Sequence, residues 1–314
     1  IGHRTVLLVA SVAIALITVV YAFLEWVHGI LALAFVQGFF WSGMLSGSSA
    51  YLISIVPKAR RAEGLGYAGL ASIFALAVAP TVGFQIYRTG WFPLAMTCVG
   101  LNIAMFVIAL FLGRKPESGP HPPLTLRTII EPRIIALAGT LFLYSFGYGG
   151  ITSFSSLYAD SAGISPRSIY LTTLAIAILL ARPALGRLGD KYGYRKVFLP
   201  CLALVALSLA MLAMTPGRIG LIISALTFGV GFGLAYPAFA AYVMQHVEDS
   251  RRGAAFGTMI AAFDTGIGTG STTMGWLIQE HGYGAAFGVA AVLAACAAPY
   301  FLAVDRRIKM AAPV

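Results

Sequence analysis

Gly186-Arg187-Leu188-Gly189-Asp190-Lys191-Tyr192-Gly193-Tyr194-Arg195-Lys196 is a short, charged, glycine-rich stretch between two apolar runs. Part of it recurs at the start of the chain. Ile1-Gly2-His3-Arg4-Thr5-Val6-Leu7-Leu8 aligns with Tyr192-Gly193-Tyr194-Arg195-Lys196-Val197-Phe198-Leu199 at an offset of 191 residues. The same offset carries Gly38 onto Gly229, Ala50-Tyr51 onto Ala241-Tyr242, Arg60-Arg61 onto Arg251-Arg252 and Gly66 onto Gly257. Near Gly90-Trp91 it slips by one, onto Gly282-Tyr283. The matches in charged loops weigh most, because apolar runs resemble one another by composition alone. The first copy lacks the front of the stretch, so the chain reads as a duplication entered partway through its first repeat.

The runs between these loops are membrane spans. Hydrophobic residues make up 59% of the 314 positions and charged residues 10%, against about 25% charged in a soluble chain. Ten apolar runs fall at about 5–24, 30–55, 64–87, 91–112, 133–158, 168–187, 197–214, 219–245, 254–278 and 284–304. Each is long enough to cross about 30 Å of hydrocarbon as a helix. Helix is required because every backbone polar group must be satisfied within the segment. None of the runs alternates as the strands of a membrane β-barrel do. The chain is therefore expected to be an all-α polytopic membrane protein.

The net charge of +10 is distributed as a membrane protein's, which excludes a nucleic-acid partner. Seventeen basic residues fall on one side of the spans: Arg4, Lys58, Arg60, Arg61, Arg114, Lys115, Arg127, Arg133, Arg187, Lys191, Arg195, Lys196, Arg251, Arg252, Arg306, Arg307 and Lys309. Arg88, Arg167 and Arg218 fall on the other, and Arg182 lies within a span. The positive-inside rule then places both termini in the cytoplasm. The proline-rich segment 113–132 is a cytoplasmic linker between 1–112, a half without its first two helices, and the six-helix half 133–304; residues 305–314 form a cytoplasmic tail. Cys98, Cys201 and Cys296 each sit alone in an apolar run. No metal or cofactor framework is expected. The triple-glycine runs Gly229-x-Gly231-x-Gly233 and Gly266-x-Gly268-x-Gly270 follow no strand, so they read as helix packing rather than a dinucleotide site.

The stretch at Gly186 resembles the signature turn of the major facilitator superfamily, Gly-x-Leu-x-Asp-(Arg/Lys)-x-Gly-x-(Arg/Lys)-(Arg/Lys). Gly186, Leu188, Asp190, Lys191, Gly193, Arg195 and Lys196 match every fixed position. The resemblance covers the whole chain and implies a major facilitator fold with ten of its twelve transmembrane helices present. Within the superfamily the chain looks most like drug and sugar efflux permeases of the proton-antiporter type. Their Gly-Pro-x-x-Gly-Gly element reads here Ala79-Pro80-Thr81-Val82-Gly83-Phe84, and their Arg-x-x-Gln-Gly element ends here in Gln37-Gly38, with Ala34 in place of the arginine. The implied function is secondary transport of a small organic solute by alternating access, as proton-coupled efflux, by a monomer in the bilayer of a bacterial inner membrane. The alternatives are a nutrient or sugar uptake permease of the same superfamily, or a fragment that does not transport. A membrane-embedded enzyme would cluster histidines, acids or serines within the spans, and these spans hold one deep acid, Asp264, and one arginine, Arg182.

Asp264 lies about 15 Å into its span, near the midplane. An ionisable group there is costly and marks function by default. It reads either as a proton or substrate coupling site or as a structural hydrogen-bonding group. Arg182 either snorkels to the cytoplasmic interface or pairs with a carboxylate or an anionic solute. The resemblance makes Gly186, Arg187, Gly189, Asp190, Lys191, Gly193, Arg195 and Lys196 a cytoplasmic gating turn, with topology alone as the other reading. It also makes Gln37, Trp41, Tyr144, Tyr148, Tyr236 and Phe239 cavity residues, with ordinary helix packing as the other reading. Aromatics with few polar groups suit an amphipathic organic solute.

Overall fold

A computed structural model of the protein describes residues 3–56, 61–113, 132–245, 247 and 251–311. Its helices are α1 (His3–Phe23), α2 (Val27–Ile55), α3 (Arg61–Tyr87), α4 (Trp91–Leu110), α5 (Pro132–Ser161), α6 (Ile169–Tyr192), α7 (Tyr194–Met214), α8 (Arg218–Met244) and α9 (Arg252–Ala311). Seven of them are long and apolar enough to cross a membrane, and shorter apolar stretches occupy Ala71–Tyr87 and Ile169–Arg182. At 60 residues α9 would measure about 90 Å if straight, three times the hydrocarbon thickness. It breaks at Gly282, where φ is 80°, into two limbs. Counted limb by limb, these are the ten rods expected from the sequence.

Two differences from expectation have a common cause, the persistence of helix past the apolar runs. The charged stretch after the eighth inferred helix is not an extended turn. α6 continues through Gly186, Arg187 and Asp190, whose side chains lie outside the described ones, to Tyr192, and reversal is confined to Gly193 at φ 80°. Residues 305–311 likewise continue α9 as helix into the segment expected to be a cytoplasmic tail.

Contacts divide the chain into two units, Ile1–Ser72 with Val82–His121, and Ile73–Thr81 with Pro122–Val314. The middle of α3 thus groups with the second unit. There the Thr81 and Ser168 hydroxyls lie 2.9 Å apart, and Thr172 donates to the Ala77 carbonyl at 3.4 Å.

Within the first unit α1 packs on α2 and α4; within the second, α7 packs on α8 and on α9. The offset of 191 that aligns the sequences aligns these neighbours too. The slip at residue 90 also has a structural counterpart. Gly90 and Gly282 both hold positive φ, at 128° and 80°, a region that side chains avoid. Each begins the last helix of its repeat.

The tightest contact in the second unit joins α5 to α9. A Cβ at Gly270 would stand 2.0 Å from the Phe146 carbonyl oxygen, and one at Gly149 would stand 2.1 Å from that of Ile267. The backbones themselves touch, as small residues permit between membrane helices. Phe198, Phe239 and Phe301 pack separately as a buried knot of α7, α8 and α9.

Gly270→Ala is expected to force α5 and α9 apart at a cost of about 1–3 kcal/mol, read as a lower thermal unfolding midpoint in detergent. Gly268→Ala, two residues away with nothing within 4 Å of its added carbon, is expected to leave the midpoint unchanged or raise it. Equal effects at the two glycines would refute the backbone contact.

Candidate functional site

Tyr144 and Tyr148 are one helical turn apart on α5 and so share a face. That face meets α8 and the first limb of α9. The Tyr148 ring stacks on Phe232 with centroids 4.2 Å apart, and Phe232 stacks on Phe228 at 5.2 Å. Tyr144 lies 5.5 Å from Phe232 and 6.0 Å from Phe263. Tyr236 closes the group at 5.1 Å from Phe263. Ser145 pins the arrangement by donating to the Phe263 carbonyl at 2.9 Å. Offset and tilted pairs of this kind add about 0.5–1.5 kcal/mol each beyond area burial.

The group is not a closed core. Tyr148, Phe232, Tyr236 and Phe263 are half-buried, so one edge remains open. Tyr144 is fully buried, and no group among the described residues hydrogen-bonds its hydroxyl. Tyr148 and Tyr236 both lie within electrostatic range of Tyr144, and Asp264 within that of Tyr236. Three phenols and one acid therefore converge on an aromatic surface inside a membrane span.

Asp264 follows Phe263 directly and is exposed. Among the described residues the ion pairs are Arg167–Asp160 at 2.6 Å and Arg195–Asp305 at 2.8 Å, so Arg182 and Asp264 do not pair. Arg182 is half-buried on α6 and its Nε has no hydrogen-bond partner. Gly229 packs on Leu174 and Ala177, and Gly233 on Ile178. One more turn of that register sets Arg182 level with Tyr236 and Pro237 on α8.

Phe239 is not part of this group. It is fully buried against Phe198, 5.1 Å away. Gln37 and Trp41 belong to the first unit, one turn apart on α2, with Trp41 54% exposed. That unit also holds an apolar cavity of about 450 Å³ between α1 and α2, with Val6, Ala10, Phe40 and Gly43 in its wall.

The signature stretch reaches a second polar centre. Gly189 is covered by the Tyr194 ring, which leaves no room for a Cβ. Lys191 lies 5.0 Å over the Tyr192 ring, and Lys191 and Lys196 are exposed. Arg195 binds Asp305, whose other carboxylate oxygen accepts from the Tyr242 hydroxyl. Asp305 is 2% exposed, so α7, α8 and α9 are tied at one end by a buried charge. The first unit repeats the plan with different chemistry. Arg4, aligned with Arg195, donates to the carbonyls of Ala109 and Leu110 at 3.3 and 2.6 Å, at the end of α4.

Comparison with known proteins converges on one family. The family model described as Major Facilitator Superfamily matches residues 1–171 and again residues 137–313. The uncharacterised MFS-type transporter YhhS of Escherichia coli O6:H1 is 24% identical over 274 residues, covering 86% of this chain and 65% of its own length. An uncharacterised MFS-type transporter of Burkholderia mallei is 27% identical over 289 residues, covering 90% of this chain and 70% of its own. The chain thus spans about two thirds of the length of these relatives. Among solved structures, the nucleoside transporter NupG superposes with a TM-score of 0.78 at 14% identity, over 97% of this chain and 84% of its own. The human organic anion transporter MFSD10 gives 0.70 at 16% identity, over 96% and 77%. Family and fold are those of transporters, not enzymes.

Arg195→Met takes the guanidinium away from the buried Asp305 carboxylate, and is expected to cost up to about 3 kcal/mol; the partial exposure of Arg195 reduces the loss. Adding Asp305→Met should recover most of it. Additive losses in this double-mutant cycle, followed by thermal unfolding, would show that the two side chains do not act as a pair.

Proposed function

Because this chain belongs to the Major Facilitator Superfamily, we propose that it is a secondary active transporter that exports a small organic solute by alternating access, coupled to protons. The observation that carries this reading is the open aromatic group of α5, α8 and α9, with an unpartnered Tyr144 hydroxyl and an unpaired Asp264 inside the membrane. Tyr148 and Phe232 offer stacked rings to the apolar part of a solute. The Tyr236 hydroxyl fixes its polar groups, and the Tyr144 hydroxyl, buried in this conformation, meets them once the transport cycle opens the group. Asp264 takes and releases the proton. Gln37 and Trp41 are the first unit's candidates for solute contact. Phe239, in the aromatic knot, supports the helices and does not touch solute.

The stretch from Gly186 to Lys196 serves as a cytoplasmic latch, with Gly193 setting its reversal and Arg195 anchoring it on Asp305. Arg187 and Asp190, with their neighbour Gly186, belong to this proposal through the motif alone. The one-sided distribution of basic side chains favours both termini in the cytoplasm, and the bacterial relatives favour an inner membrane. The protein works as a monomer, with the bilayer as its only structural partner.

The test is a solute panel with the full chain in proteoliposomes under an imposed pH gradient. Export of at least one amphipathic solute from the cytoplasmic face is expected, and its loss in Asp264→Asn. Gradient-driven entry through the same residues would reverse the direction and make the protein an uptake permease. A folded chain that moves none of the panel would end the transport reading. Tyr144→Phe separates contact from packing. The deleted hydroxyl has no partner among the described residues, so thermal stability should hold or rise, while solute affinity in the conformation that exposes Tyr144 falls about tenfold, the worth of one hydrogen bond.

A further inference from the structure

α6 packs on α8 along one row. A Cβ at Gly229 would meet the Leu174 carbonyl and the Ala177 side chain, and one at Gly233 would meet Ile178. Residues four apart share a helix face, so Arg182 continues the row that Leu174 and Ile178 begin. Gly229, Gly233 and Tyr236 lie in turn on one face of α8. Both helices belong to the second unit. Arg182 is the one charge in an otherwise apolar row, and it stands about 14 Å of helix before Lys191, in the last turn of α6. Its Cα–Cβ bond tilts towards the start of the helix, so the side chain sets out away from that charged end.

Among the described residues this charge has no counterpart. Nε of Arg182 is buried without a hydrogen-bond partner, and the side chain as a whole is only half-buried. Of the described carboxylates, Asp160 and Asp305 pair with Arg167 and Arg195, and Asp264 pairs with neither arginine nor lysine. Glu25 lies between α1 and α2, and Glu280 beside the break at Gly282. A cation within a membrane span is costly unless an opposite charge meets it. The aromatic group reaches to its side. Tyr236, level with Arg182, lies 5.1 Å from Phe263, and Phe263 lies 5.9 Å from Phe232. A flat apolar body held on those rings brings one of its ends to the guanidinium.

We propose that Arg182 binds the solute and that the solute is an amphipathic organic anion, a flat apolar body carrying a carboxylate or a similar oxyanion. This rests on the reading of the aromatic group as the solute site, and it holds for either direction of movement. The terminal nitrogens of Arg182 donate to the oxyanion, in the fork geometry that matches a planar carboxylate. Phe232 and Phe263 take the apolar body. A neutral or cationic solute of the same shape leaves the arginine without its counter-charge, so the site selects for the negative one.

The experiment measures equilibrium binding to the full chain in lipid nanodiscs at neutral pH, with empty nanodiscs subtracted. The probes are 1-naphthoate, its neutral isostere 1-naphthamide and the cation 1-naphthylmethylammonium. Naphthoate is expected to bind about tenfold more tightly than the amide, the worth of a hydrogen bond to a charged group, and the ammonium more weakly than the amide. Arg182→Gln should bring the ratio of acid to amide affinity close to one. Arg182→Lys keeps the charge without the fork and should retain part of the preference. The ratio is taken within each variant, so a smaller yield of folded protein cancels.

Equal affinities for acid and amide, tightest binding of the ammonium, or no binding of naphthoate would each overturn the inference. So would a ratio unmoved by Arg182→Gln, which would leave the arginine to lipid headgroups or to packing. The preference of the unmodified chain is read without any variant, so misfolding of a variant does not hide the answer. Binding needs no turnover. Acid-selective binding through Arg182 in a chain that moves none of the probes would therefore sink the transport reading alone, and transport of the amide or the ammonium with no preference for the acid would sink the anion alone.

Discussion

The second unit depends on one contact, the approach of the α5 and α9 backbones to a distance that only glycine allows. Gly149, Gly266 and Gly270 remove the side chains that would hold the helices apart. Lipid supplies no hydrophobic force between helices, so close packing must supply the attraction. Everything polar in the site follows from it. The contact sets Phe263 against Tyr144, lets Ser145 reach the Phe263 carbonyl, and turns Asp264 and the threonines away from α5.

The sequence made the rods and the duplication legible because both rest on local signals: apolar length, and charged loops at a fixed offset. Asp264 stood out as the one deep acid, and Tyr144 and Tyr148 as a pair at helical spacing. Phe228, Phe232 and Phe263 did not stand out, since one phenylalanine among many apolar residues is marked only by which helix it meets. Phe239 illustrates the same limit in reverse. It lies three residues from Tyr236, yet Tyr236 faces the open group and Phe239 faces Phe198. Asp305 followed the last apolar run and read as a tail charge. Its burial depends on three helix ends meeting, which no local pattern records. The signature stretch read as a turn throughout because glycine density marks turns, whereas within it positive φ falls at Gly193 alone.

The two repeats solve one problem with different partners. Arg4 and Arg195 hold corresponding positions and both reach the end of the last helix of their repeat. Arg4 uses the orphan carbonyls that every helix end presents, here those of Ala109 and Leu110. Arg195 uses a carboxylate that Tyr242 also holds. The first arrangement follows from backbone geometry and asks little of sequence. The second depends on a buried acid keeping its cation, which makes that end of the second unit the more sensitive to change.

Gly193 and Gly282 share a further consequence. Each joins two long helices without a loop, and one residue spans only about 3.8 Å between neighbouring Cα atoms. The partners α6 and α7, like the two limbs of α9, therefore reverse about a single residue, and a side chain at either glycine would strain that joint whatever space surrounds it.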